Sequence, residues 1–186
     1  NINKQRVGVL VGSGIGGLST IEAQIRSLVN KGPNRVAPLT IPMSISNIAS
    51  GAIAIKFGLL GSSFSITSAC ASSTHCIGEA YRNIKDGYSD IIFAGGSEAS
   101  ICEFGISSFQ SLTALSKSED RNRASIPFDL NRNGFVMGEG AGVLILEDLE
   151  SALKRGAKIY CEIVGYGTTS DAYHITSPCP DGNGAY

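Results

Sequence analysis

Apolar positions fall along this chain in two alternating rhythms. Short, nearly unbroken apolar runs stand at Arg6–Val11, Ser63–Ser68, Asp90–Ala94, Gly142–Glu147 and Lys158–Gly165. Each has the length of a strand, and the pattern predicts strands buried on both faces. The Asp90–Ala94 run is closed by Gly95-Gly96. Elsewhere apolar residues recur every three or four positions, the period of a half-buried helix. Leu18–Leu28 places Ile21, Ile25 and Leu28 on one side. Ile45–Phe57 reads as a second helix that ends before Gly58. Ala71–Lys85 lines up Ile77, Tyr81 and Ile84, with Gly87 where a helix C-cap belongs. Leu149–Lys154 is a short helix, Pro38–Pro42 and the polar stretch 116–133 are loops, and Ser100–Ala114 is ambiguous. Strands alternating with helices predict an α/β layered domain with its sheet covered on both faces.

Composition narrows the function classes. The 186 residues are 42% hydrophobic and 17% charged, which suits one ordinary or large domain. A formal net charge of -1 gives no reason to expect a nucleic-acid or anionic-membrane partner. The sequence has no apolar run long enough to span a bilayer and shows no signal peptide at its start. Five cysteines, an odd number without a C-x-x-C pair, argue against a disulfide framework or zinc site and favour a reducing compartment. The chain starts at Asn1 and ends on "GNGAY", which reads as a piece of a longer protein.

Val9–Thr20, "VLVGSGIGGLST", poses a question. Gly12, Gly14 and Gly17 spell G-x-G-x-x-G after an apolar run, the dinucleotide-binding fingerprint. That fold also needs a carboxylate about 20 residues on to hold the ribose. Ala23–Gly78 contains no Asp or Glu. The fingerprint lacks its companion, and nucleotide binding is disfavoured.

The sharpest chemistry lies in "SFSITSACASSTHCIGEAYRNI". Cys70 falls between a predicted strand and the N-terminus of a predicted helix. The helix dipole and free first-turn N–H groups favour a thiolate there. A backbone N–H at such a turn can face an oxyanion forming on a carbonyl. Small neighbours (Ala69, Ala71, Ser72, Ser73) let a substrate approach. A buried structural cysteine fits the position equally well. Cys76, Cys102 and Cys161 read as packing. His75, five residues on, points about 140° away from Cys70 on a helix and is a poor base. His174 lies in a loop, where a solvated histidine is the ordinary case. Glu139 in "GEGAG" reads as an acceptor of backbone hydrogen bonds, with a general base as the alternative. "GGSEA", Gly95–Ala99, lacks the second glycine of the serine-hydrolase elbow.

Two long stretches carry a family resemblance. "SITSACASSTHCIGEAYRNIKDGYSDIIFAGGSEA" resembles the nucleophile segment of the type II β-ketoacyl-[acyl-carrier-protein] synthases. "IPFDLNRNGFVMGEGAGVLILEDLESALKRGAKIYCEIVGYGTTSDAYHITSP" resembles their next signature stretch. The resemblance runs in one register through the whole chain. It implies a thiolase-like αβαβα fold, of which residues 1–155 would be the later part of the N-terminal half and 156–186 the start of the C-terminal half. It implies an acyltransferase that elongates fatty acids by decarboxylative condensation. Cys70 matches the nucleophile. Ile15, Ala69, Gly105 and Phe109 match positions of the acyl-pocket wall, and the glycine turn serves close packing beside that pocket. Asp171, His174, Thr176 and Ser177 match a mobile gate beside the pantetheine tunnel. The implied partners are acyl-carrier protein, acyl and malonyl thioesters and a second copy of the chain in a homodimer. No metal or dissociable cofactor is implied, because phosphopantetheine arrives on the carrier. The implied setting is bacterial cytoplasm, with a plastid-type organelle as the alternative.

This sequence departs from the family in four places. The two catalytic histidines, in an N-A-H-G-T segment and a later G-H segment, are not within it, so these residues alone are not expected to decarboxylate malonyl groups. The gating phenylalanine near the family's C-terminus is also outside it. "RNGF" stands for the family's "RDGF", so Asn133 puts a local ion pair in doubt. Pro38-Leu39-Thr40-Ile41-Pro42 replaces P-F-F-x-P, which leaves chain length open. A ketosynthase domain of a polyketide assembly, an inactive fragment and a non-catalytic partner stay as alternatives.

Overall fold

A computed structural model describes residues 2–186. Four strands form one mixed sheet: β1 (Val7–Gly12), β2 (Ser63–Phe64), β3 (Ile91–Glu98) and β4 (Gly140–Glu147). Their spatial order is β2-β1-β3-β4, with β1 parallel to both β2 and β3, and β4 antiparallel to β3. The helices are α1 (Leu18–Lys31), α2 (Thr40–Ser44), α3 (Ile48–Phe57), α4 (Ser72–Lys85), α5 (Glu103–Ser111) and α6 (Leu149–Lys154).

Strand β1 is central and all six of its residues are buried, as its unbroken apolar run requires. Its even-numbered positions face α4. There Leu10, Ile92 and Ala94 pack with Cys76 and Ala80 into the core. The opposite face carries Phe93, whose ring stacks on Phe57 of α3 at 5.8 Å. Gly87, at φ +75, follows the last turn of α4, as its spacing predicts.

Several elements differ from their sequence expectation. The strand β3 runs through Gly95-Gly96 to Glu98, because those glycines keep their ladder places opposite Val143 and Gly142. Strand β2 stops at Phe64, since the chain then diverts into the turn that carries Cys70. The ambiguous stretch holds helix α5. Part of Pro38–Pro42 is helical: Pro42 is the third residue of α2, where a helix needs no N–H donor. Helix α3 starts at Ile48, after the turn that closes α2. Residues 158–165 form no strand. They have no ladder partner among the described residues, and extended chain needs one to count as sheet. Cover on both faces holds for β1 and β3 only: Val143, Leu144 and Ile145 of β4 are exposed. Among the described residues, no helix is long and apolar enough to cross a membrane.

Candidate active site

The segment after β2 builds an elbow. A single 3-10 turn, Ala69–Ala71, joins it to α4. Ser72 Oγ accepts from the Ser68 N–H at 2.9 Å and donates to the Ala69 carbonyl at 2.7 Å. Ala69 is held at φ +50, a left-handed conformation that costs a non-glycine residue about 1–3 kcal/mol. The surrounding bonds fix that strain and leave Cys70 exposed at the start of α4.

The glycine turn backs this elbow. A Cβ on Gly12 would stand 2.8 Å from the Ile66 carbonyl and 3.1 Å from Cys76 Sγ. One on Gly14 would stand 3.3 Å from the Ala69 carbonyl. One on Gly96 would stand 2.6 Å from Ser73 Cβ. These glycines let two strand ends approach the N-terminal turn of α4 at backbone distance. Thr67 Oγ1 adds a stitch at 3.2 Å to the Ser13 carbonyl.

The turn's own donors are already taken. Glu98 Oε2 accepts from the Gly14 N–H at 2.6 Å and the Ile15 N–H at 3.2 Å. Glu98 Oε1 accepts from Ser13 Oγ at 3.2 Å and Ser100 Oγ at 3.1 Å. The Gly17 N–H donates to the Ser44 carbonyl at 2.9 Å. A nucleotide-binding turn would aim such N–H groups at a pyrophosphate. Here a protein carboxylate takes that place, and the fingerprint is a packing device.

The other candidates have structural partners. His75 Nδ1 lies 2.6 Å from Ser68 Oγ, and its ring edge meets Tyr166 at 6.4 Å. Cys76 is fully buried, and burial pushes its thiol pKa up. Cys102 does more than pack: its sulfur accepts from the Gly105 N–H and caps α5. Cys161 is exposed, which corrects the packing expectation. Glu139 accepts from the Ile101 N–H at 2.8 Å, the backbone role its turn suggested. Ser97 of "GGSEA" lies within β3, so no hydrolase elbow forms there.

The wall candidates lie in three places, the elbow, the glycine turn and α5, and the gate candidates lie in one loop. Ala69 adjoins Cys70, and Ile15 shares the glycine turn with Gly14. Gly105 is buried in α5, where a Cβ would meet Leu18 Cδ2 at 3.3 Å. Phe109, also in α5, packs edge-on to Phe135 at 5.3 Å. His174 Nδ1 accepts from the N–H groups of Thr176 at 3.1 Å and Ser177 at 3.0 Å, so those three form one loop cluster. Asp171 Oδ2 accepts from the Cys179 N–H at 2.9 Å. No hydrogen bond among the described residues joins 171–177 to Cys70.

A cleft of about 750 Å³ opens beside the turn, lined in part by Ser13, Gly17, Ile45, Ile48, Glu98 and Ala141. Cys70 is not on its wall, and neither are Ile15, Gly105 or Phe109. Among the described residues, no group of three or more His, Cys, Asp or Glu could hold a metal ion.

Helices α1 and α5 are tied by charge. Glu22 has its pKa lowered from 4.5 to about 2, first by the Cys102 thiol, then by the Phe104 N–H and Arg26. Arg26 also reaches Glu103 at the start of α5. No signal in the sequence marks Glu98, whose partners Ser13, Gly14 and Ile15 stand more than 80 positions away.

Comparison with known proteins places this architecture. Residues 1–152 match the family model for the beta-ketoacyl synthase N-terminal domain. The chain is 52% identical over 185 residues to 3-oxoacyl-[acyl-carrier-protein] synthase 2 of Synechocystis sp., covering 99% of this chain and 44% of that protein. It is 50% identical over 179 residues to the enzyme of the same name from Staphylococcus aureus, covering 96% and 44%. The chain thus spans less than half the length of these curated relatives. A type II PKS acyl-carrier protein in complex with its ketosynthase (AntDE:AntF) superposes with TM-score 0.92 at 36% identity, over 98% of this chain and 47% of that one. A beta-ketoacyl synthase from Burkholderia phymatum gives TM-score 0.83 at 33% identity, over 96% and 44%. A thiolase-like ketosynthase fold, a small-residue elbow bearing Cys70 and a family match across most of the chain agree: this chain belongs to the beta-ketoacyl synthase family, with residues 1–152 matching its N-terminal domain.

Proposed function

We propose that the protein carrying this chain is a 3-oxoacyl-[acyl-carrier-protein] synthase and that Cys70 is its nucleophile. The observation that carries this is the elbow itself. Cys70 is exposed in the 3-10 turn that leads into α4, behind a strained Ala69, with small residues on both sides. That is the geometry of an activated nucleophile on a strand-to-helix turn.

In this reading the Cys70 thiolate attacks the carbonyl of an acyl thioester on acyl-carrier protein. The carrier's pantetheine thiolate leaves and takes up a proton. The Cys70 N–H serves as one oxyanion donor. Malonyl-carrier protein then binds and loses CO2. The resulting carbanion attacks the Cys70 thioester and expels the thiolate. The product is a 3-oxoacyl group two carbons longer on the carrier. Residues outside this chain supply the histidines of decarboxylation, and no free cofactor or metal takes part.

Ile15, Ala69, Gly105 and Phe109 form wall positions of the acyl pocket in this reading, and Asp171, His174, Thr176 and Ser177 the gate. Residues 1–155 belong to the first thiolase-like half and 156–186 open the second. The protein is a cytoplasmic homodimer. The free edge of β2, whose Ser63 and Phe64 are exposed, favours that edge for a second copy.

Fatty-acid elongation is favoured over polyketide synthesis because the curated fatty-acid relatives reach 52% identity and the polyketide ketosynthase 36%. Elongation of an acyl-carrier donor with malonyl-carrier protein tests the reading. Full-length protein is expected to make the 3-oxoacyl product, and Cys70→Ala to lose it. Unchanged product formation by Cys70→Ala would overturn it.

A further inference from the structure

We infer that Glu98 is a positioning residue for the nucleophile elbow and for the pocket wall at Ile15, an inference that rests on the role proposed for Cys70. Its carboxylate makes four hydrogen bonds that converge on one turn. Two come from the Gly14 and Ile15 N–H groups, at 2.6 and 3.2 Å. Two come from the hydroxyls of Ser13 and the buried Ser100, at 3.2 and 3.1 Å. Ser13 Oγ in turn accepts from the Gly16 N–H at 2.9 Å. Every residue of the turn from Ser13 to Gly16 is therefore tied to Glu98, directly or through one hydroxyl.

That turn is pressed between Glu98 and the elbow. A Cβ on Gly14 would stand 2.9 Å from Glu98 Oε2 on one side and 3.3 Å from the Ala69 carbonyl on the other. The space between Glu98 and the elbow therefore admits no side chain at Gly14. Moving the carboxylate moves Gly14, and Gly14 bears on the residue before Cys70. Ile15 moves with it. A half-buried carboxylate that accepts this many bonds is a rigid anchor. Without it, two backbone donors lose their acceptor. The turn then relaxes toward the cleft of about 750 Å³ that Glu98 also lines.

The test uses the full-length protein and single-turnover acylation of Cys70 by a short and a long acyl-carrier donor, with the thermal midpoint measured alongside. Glu98→Ala is expected to slow acylation about tenfold, since small misplacements of reacting groups are costly. It is also expected to change the long-to-short rate ratio by about threefold or more, because Ile15 is no longer held. Glu98→Gln keeps an acceptor for the two N–H groups and an amide for the two hydroxyls, and is expected to stay within about twofold of wild type. Should Glu98→Ala not fold, Glu98→Asp, one methylene shorter, is read by the same criteria. An unchanged rate and ratio would overturn the inference while leaving the function of Cys70 intact. An equal loss for both donors, tracking a lower thermal midpoint, or a Gln variant as impaired as the Ala variant, would also overturn it. Wild-type protein that does not acylate at Cys70 would overturn both the inference and the reading beneath it.

Discussion

Cys76 Sγ lies 3.1 Å from where a side chain on Gly12 would begin. The same Cβ would be 2.8 Å from the Ile66 carbonyl and 3.0 Å from the Ser72 carbonyl. Backbone supplies two of those three contacts and cannot swing away as a flexible side chain can. Gly12→Ala is therefore expected to cost about 1–3 kcal/mol. A urea melt of the variant against wild type measures it. A change below about 0.5 kcal/mol would show that the elbow is looser than this packing requires.

Thiol reactivity follows from the same layout. Cys70 and Cys161 are exposed, whereas Cys76 is buried with its pKa raised. Brief iodoacetamide treatment of the native protein is expected to label Cys70 and Cys161 and to spare Cys76 until the chain is denatured. Peptide mapping by mass spectrometry reads this directly. Early labelling of Cys76 would contradict the core described around Leu10, Ile92 and Ala80.

Acid stability reports on the α1–α5 tie. The Glu22 pKa in the folded state lies near 2, below its ordinary 4.5. A depressed carboxylate stabilises the fold above its unfolded value and loses that contribution as pH falls toward the folded value. Wild type is therefore expected to lose stability between about pH 4.5 and 2. Glu22→Gln should be less stable at neutral pH and show a flatter fall across that window. Urea midpoints measured against pH test it, and parallel curves for the two proteins would refute the assignment.

Asn133 stands where the family has an acid, and the structure shows what its amide does. Its Oδ1 accepts from Ser116 Oγ at 2.9 Å and from the Lys117 N–H at 3.3 Å. A carboxylate could accept both bonds equally well. Asn133→Asp is expected to change stability by no more than about 0.5 kcal/mol, whereas Asn133→Ala leaves both donors unanswered and costs about 1 kcal/mol. Thermal denaturation of the pair decides between them.

The parts of the fold that the sequence made legible were those where one local signal dominates. β1 is a continuous apolar run because both its faces are buried, and α4 shows its period and its Gly87 terminator. The sequence misled where a residue's usual habit was overridden by position. Pro42 suggested a loop, yet sits in a helical first turn. Gly95-Gly96 suggested a strand end, yet continue the ladder because β3 passes close to α4 there. Residues 158–165 have the composition of a strand and no partner to pair with among the described residues. The placing of Cys70 in the turn before α4 was legible through its small neighbours and the helical period that follows. The anchoring contacts of Glu98 were not, because they run to residues 13–15, more than 80 positions away in sequence. No local pattern records such a contact.

The central claim is that Cys70 takes the acyl group, and intact mass with peptide mapping tests it most directly. After incubation with an acyl-carrier donor, the full-length wild-type protein is expected to gain one acyl group, mapped to Cys70, and Cys70→Ala to gain none. An acyl group located on any other residue, or an adduct that persists in Cys70→Ala, would contradict the account.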